Sequence, residues 1–150
     1  LAASACGSPA NVDNARRDPT SGVITERGDV GTQRLRAGDC FLQPDGRSTQ
    51  VVRAVPCRDS HDSQVVALVE VPDGPSARWP GVEELAERSR SLCFDSAVDA
   101  LNGDLIGLTI GLSAYVPDRR SWQAGDRRIV CTLGRFDGSP MTGSLLGRFT

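Results

Sequence analysis

Five cysteines in a chain of 150 residues constrain this fold more than any other feature. They are Cys6, Cys40, Cys57, Cys93 and Cys131, and the sole histidine is His61. No two cysteines have the close spacing of a structural zinc site, so neither a metal nor another cofactor is expected. Cys40, Cys57, Cys93 and Cys131 are expected to form two disulfides, which implies an oxidising compartment. We expect Cys40–Cys57 to close an opening two-strand unit and Cys93–Cys131 to pin a helix end to a late strand. A tight turn at Asp45-Gly46 would hold Cys40 and Cys57 apart. Cys40–Cys131 with Cys57–Cys93 would then be the better pairing.

Cys6 needs a separate explanation. It ends the run Leu1-Ala2-Ala3-Ser4-Ala5-Cys6, and Gly7-Ser8-Pro9 follows. Small residues before a cysteine resemble the cleavage box of a bacterial lipoprotein signal, although Ala3 stands where such boxes usually carry Leu. On that reading residues 1–34 are the remnant of a lipoprotein signal plus a flexible tether. Cys6 is then lipidated, and the membrane is a partner through that anchor. Residues 7–34 hold only Val12, Val23, Ile24 and Val30 as sizeable apolar side chains, with no period running through them. A tether of this length has a reach of ~30 Å.

Composition mainly excludes. A hydrophobic fraction of 39% and a charged fraction of 24% are ordinary for a globular chain. The net charge of −2 provides no basic field for nucleic acid. All 17 basic residues are Arg, which removes lysine nucleophiles, Schiff bases and a P-loop lysine. No apolar run approaches the ~18 residues of a transmembrane helix.

A domain over 35–150 carries the periodic segments. Residues 38–42 and 49–55 read as strands around the turn signal Pro44-Asp45-Gly46. A polar corner over 56–63 leads into 64–71, a run apolar enough for a strand buried on both faces. A helix is expected from Pro80 to Leu101, with room for a break near Phe94 and a stop at Asn102-Gly103. Residues 105–116 and 128–133 read as further strands. The expected core includes Val65, Val66, Leu68, Val69, Leu85, Leu92, Ile129 and Leu133. The sum is an α+β domain: a mostly antiparallel sheet packed by one main helix, with two disulfides and a flexible N-terminal tether.

An ordered set of short motifs runs through the same span. It comprises Gly38-Asp39-Cys40-Phe41, Val55-Pro56-Cys57 and His61-Asp62-x-Gln64-Val65, then a helix closing on Cys93. Tyr115-x-Pro117, Trp122-x-x-Gly125-Asp126-Arg127, Cys131 and Thr142-Gly143-Ser144 complete it. Taken together over about 35–147, the set resembles the septum-formation domain of actinobacterial secreted and lipid-anchored envelope proteins. The chain differs from that pattern at Ser60, usually Pro, and at Gln64, where an acidic residue is common. The resemblance implies an extracytoplasmic envelope protein with a part in septum formation and cell division.

The residues themselves carry little catalytic chemistry. Four bridged cysteines and one lipidated cysteine leave no thiolate for a Cys–His pair. His61-Asp62 lacks the further histidines of a phosphohydrolase metal site, and no Gly-x-Ser-x-Gly elbow accompanies His61. The expected function is a non-catalytic, lipid-anchored domain binding envelope proteins or cell-wall material. The alternative is a secreted hydrolase of wall material using His61. His61 and Asp62 on a loop, and Trp122, are the residues considered for binding. For each, a structural role is the competing explanation: tying down the corner for His61-Asp62, and core packing for Trp122 and Tyr115.

Overall fold

The computed structural model describes residues 11–43, 50–101 and 109–146. Cys6, the turn signal at 44–46 and the stop signal at 102–103 lie outside the described residues. Among the described residues eight strands form: β1 (Arg16–Arg17), β2 (Ile24–Glu26), β3 (Gly28–Gly31), β4 (Cys40–Leu42), β5 (Val51–Val55), β6 (Ser63–Glu70), β7 (Ile110–Tyr115) and β8 (Arg128–Arg135). The helices are α1 (Val82–Ala100) and α2 (Arg119–Gln123). Strands β3-β5-β4-β6-β8-β7 make one six-stranded sheet, antiparallel at every pairing, and β1-β2 is a separate ribbon. The expected α+β architecture holds.

Alternation along the strands divides the core in two. Ile129, Cys131 and Leu133 of β8 face α1, joining Leu85, Cys93, Ala97, Trp122, Met141 and Leu145. Val130 faces the opposite way, with Phe41, Val52, Ala54 and Val65. A register shift between Val65 and Ala67 puts both Val66 and Ala67 on the α1 side, as a bulge does. Only the first half of β6 is buried on both faces; beyond it burial alternates, and Leu68, expected in the core, is 38% exposed. Strand β8 crosses so close to the polar corner that a Cβ on Gly134 would lie 2.7 Å from the Asp62 carbonyl oxygen. Only glycine fits there.

The main helix departs from expectation at its start. Gly81 takes φ 99°, so the helix begins at Val82 rather than Pro80, and it runs unbroken past Phe94. Its buried stripe is Leu85, Ser89, Cys93 and Ala97, a strict four-residue spacing. Cys93 is therefore on the inner face, and it bridges to Cys131 of β8 with a Cα separation of 5.5 Å. The other disulfide is Cys40–Cys57, Cα atoms 5.2 Å apart. Cys40 pairs across the ladder with Val55, and the turn closed by the Asp59 N–H on the Pro56 carbonyl carries Cys57 back to it. Both expected pairings are present.

The N-terminal stretch corrects the expected tether. Residues 11–34 pack on the domain, and no boundary falls at residue 34. Strand β3 is part of the main sheet, and Ile24 and Val30 are buried in the second core cluster beside Leu35. Arg17 forms a bidentate ion pair with buried Asp39, at 2.8 and 2.7 Å, tying β1 to the turn before β4. The Asp39 hydrogen bond holds the Arg17 guanidinium above its ordinary pKa. Apolar residues here are few, with Ile24 and Val30 buried and Val23 exposed, and strands of two to four residues show no period. Backbone pairing and a buried ion pair supply what hydrophobic count lacks.

Gly28 separates a packed segment from a free one. A Cβ there would lie 2.5 Å from the backbone of Asn14 and Ala15. Gly28→Ala is expected to destabilise the domain by ~1–3 kcal/mol, the usual scale of overpacking. In a free tether the same change would be within ~0.5 kcal/mol of neutral. Urea denaturation of the two proteins reads the difference.

Candidate functional site

The polar corner after Cys57 encloses its histidine. His61 is fully buried, and its backbone N–H and C=O both bond to Met141, at 2.9 and 2.7 Å. Its Nδ1 lies 2.8 Å from the Asp59 carbonyl oxygen; a carbonyl only accepts, so Nδ1 carries the proton. Nε2 is buried with no hydrogen-bond partner among the described residues. An imidazole held this way reaches no substrate. The recognition role considered for His61 gives way to the structural one.

Trp122 is also interior. It sits on α2, a short helix missed in the sequence and capped by the Asp118 carboxylate accepting from the Ser121 N–H at 2.8 Å. The indole Nε1 donates to the Ala77 carbonyl at 2.7 Å, and the Arg127 guanidinium stacks 3.7 Å from the ring centroid. Arg127 also donates to the carbonyls of Trp122, Gly74 and Pro75. The Trp122-to-Arg127 motif is thus a clamp that holds the 74–77 loop against the sheet, not a ligand platform.

Gln64 is a hub that its sequence position did not announce. Fully buried, its amide nitrogen donates to the Gly38 carbonyl at 3.1 Å and the Ser144 hydroxyl at 2.8 Å. Its Oε1 accepts from the Leu145 N–H at 2.6 Å. The amide joins the Cys40–Cys57 corner to the C-terminal segment. A carboxylate could not donate to the carbonyl, so the difference from the acidic residue common at this position has a physical consequence.

Of the residues singled out from the sequence, Asp62 and Tyr115 do come together, through Gln43. The Asp62 carboxylate accepts from the Gln43 N–H at 2.9 Å, and the Gln43 side chain bonds Ser63 at 2.9 Å and the Tyr115 hydroxyl at 3.1 Å. This array lies on the sheet face opposite α1. Beside Tyr115 opens a cleft lined by Gln33, Gln50, Asp118 and Ser121, with Val82 and Val116 as its apolar wall. Gln33 Oε1 is buried there with no hydrogen-bond partner among the described residues. The lining is largely apolar, from Val82, Ala114 and Val116, with the amides of Gln33 and Gln50 and the hydroxyls of Tyr115 and Ser121 as its polar groups. No pattern marks these residues in the sequence. Among the described residues, no cluster of three or more His, Cys, Asp or Glu is placed to hold a metal.

A family model described as septum formation matches residues 4–131. The match takes in all four bridging cysteines and stops at the last of them. No curated protein and no solved structure matches the chain.

Tyr115 is the only tyrosine, so its ionisation can be read without ambiguity. Burial beside Phe41, ring centroids 6.1 Å apart, pushes its hydroxyl up to about 12. The unfolded chain ionises near 10.0, so between these values the unfolded state alone releases the proton. Stability is therefore expected to hold below pH about 10 and to fall as pH rises towards about 12. Near-ultraviolet absorbance should show the native transition displaced upward, and an unshifted transition would place the ring in open water.

Proposed function

The chain belongs to the septum formation family, and from that membership we propose that it serves septum formation as a non-catalytic, lipid-anchored domain outside the cytoplasm. Its role is to bind an envelope protein or cell-wall material in the cleft beside Tyr115. One observation carries the non-catalytic reading: His61 is fully enclosed, its Nδ1 committed to a backbone carbonyl. The hydrolase alternative would rely on that imidazole. Two disulfides support export, because such bridges persist in oxidising compartments. A largely apolar cleft with a few amides and hydroxyls supports a binding role.

Two experiments test the reading. Mass spectrometry of the native protein is expected to find its N-terminus at an acylated Cys6, since two or more chains are needed for stable anchoring. An unmodified thiol there would remove the anchor. Sedimentation of the purified domain with isolated wall sacculi is expected to show binding without release of soluble fragments. Replacing Gln33 and Tyr115 by Ala should weaken that binding about tenfold or more, the scale of one or two lost hydrogen bonds. Turnover of sacculi that disappears in His61→Ala would overturn the proposal in favour of a hydrolase.

A further inference from the structure

The two edges of the main sheet are treated differently. Strand β3 is covered on its outer side, where Asn14 N–H donates to Asp29 O and Gly31 N–H to Val12 O, both at 2.8 Å. Strand β7, at the other edge, has no outer backbone partner among the described residues. The bond from Phe136 N–H to Thr109 O sets the phase of its pairing with β8. Gly111, Ser113 and Tyr115 exchange bonds with β8, which leaves the N–H and C=O groups of Ile110, Leu112 and Ala114 pointing outward. Those same three side chains pack on the α1 side. The strand carries no charge, proline or bulge, the devices that normally blunt an edge.

The helix flank beside this edge is self-complementary. Ala86, Arg90 and Phe94 form a groove with Leu112, Ser113 and Ala114, and Phe94 is 51% exposed. Val82 lies near Tyr115 and Val116, so α1 runs opposite to β7. Glu83, Glu87, Arg90 and Phe94 recur at four-, three- and four-residue steps and share one flank of the helix. Acid therefore occupies the first half of that flank and Arg90, which reaches back to the exposed Glu87 carboxylate at 3.1 Å, the second.

We propose that β7 is a dimerisation edge, taken by β7 of a second copy of the chain in antiparallel pairing about a two-fold axis beside Ser113. That register pairs Leu112 of each copy with Ala114 of the other, joining their outward backbone groups. It sets Ser113 opposite its counterpart and continues the sheet from six strands to twelve. The axis also reverses α1, bringing Arg90 of one copy alongside Glu83 and Glu87 of the other. The result is an isologous interface in which one patch meets itself. An extended segment of some other protein could use the same edge, but the reversed charges on the flank favour a second copy.

Sedimentation equilibrium of the full chain across micromolar to millimolar concentrations tests this. A concentration-dependent dimer is expected. Ser113→Lys sets two ammonium groups face to face, and Ala114→Pro removes an outward N–H that β8 does not use; each should weaken the dimer at least tenfold. Ser113 is exposed, so its variant should melt as the wild-type monomer does and decides the matter if Ala114→Pro misfolds. A chain that stays monomeric throughout, or a dimer indifferent to Ser113→Lys, would overturn the proposal.

Discussion

Strands β6 and β8 lie side by side over seven residue pairs, and the remaining elements are built on that ladder or extend from it. Its α1 face carries Val66, Ile129, Cys131 and Leu133; its other face carries Val65 and Val130. One ladder thus supplies both halves of the core. The disulfides attach to it from either side. Cys131 is a residue of β8, whereas Cys40 stands opposite Gln64 of β6. Each bridge restricts the unfolded chain, by ~3 kcal/mol for the shorter loop and ~4 for the longer on a chain-entropy account. They also prescribe which helix face and which corner meet the sheet.

The parts legible in the sequence were those where one physical cause acts locally. Strands β6 and β8 announce themselves because runs of apolar residues, several of them β-branched, fill their middles, and α1 because its inward residues recur every fourth position. The disulfide pairing followed from placing cysteines on those elements. The first thirty-odd residues failed the same test for a specific reason. Val30 and Ile24 are buried by partners far along the chain, and Arg17 meets Asp39 across twenty-two positions. Nothing local records such contacts. Helix α2 is short enough that its cap, Asp118, is its clearest signal.

The residue types that draw the eye as chemistry turned out to be the fabric of the fold. His61, Gln64 and Trp122 are all buried, and the side chain of each bonds a backbone group: His61 that of nearby Asp59, Gln64 that of distant Leu145, Trp122 that of distant Ala77. A small sheet covered by irregular segments has many backbone groups that no ladder satisfies. Buried polar side chains are the means of pairing them, and an unpaired group costs ~1–3 kcal/mol. The residues lining the cleft are the opposite case. Gln33, Gln50 and Ser121 come from three separated stretches, and only the folded topology assembles them.

Edge protection sharpens the distinction between fabric and function. Covering β3 requires the segment around residues 12–14 to lie against it, and that same segment is held by the close approach at Gly28. The fold thus commits covalent chain to blocking one edge. At β7 there is no corresponding commitment among the described residues, and the strand keeps apolar side chains at each position whose backbone faces outward. An edge left unguarded for no purpose would be a liability for any protein, because unpaired strands recruit one another indiscriminately. Pairing with a defined partner in a defined register removes that liability, and the reversal of charge along the neighbouring helix is what restricts the register.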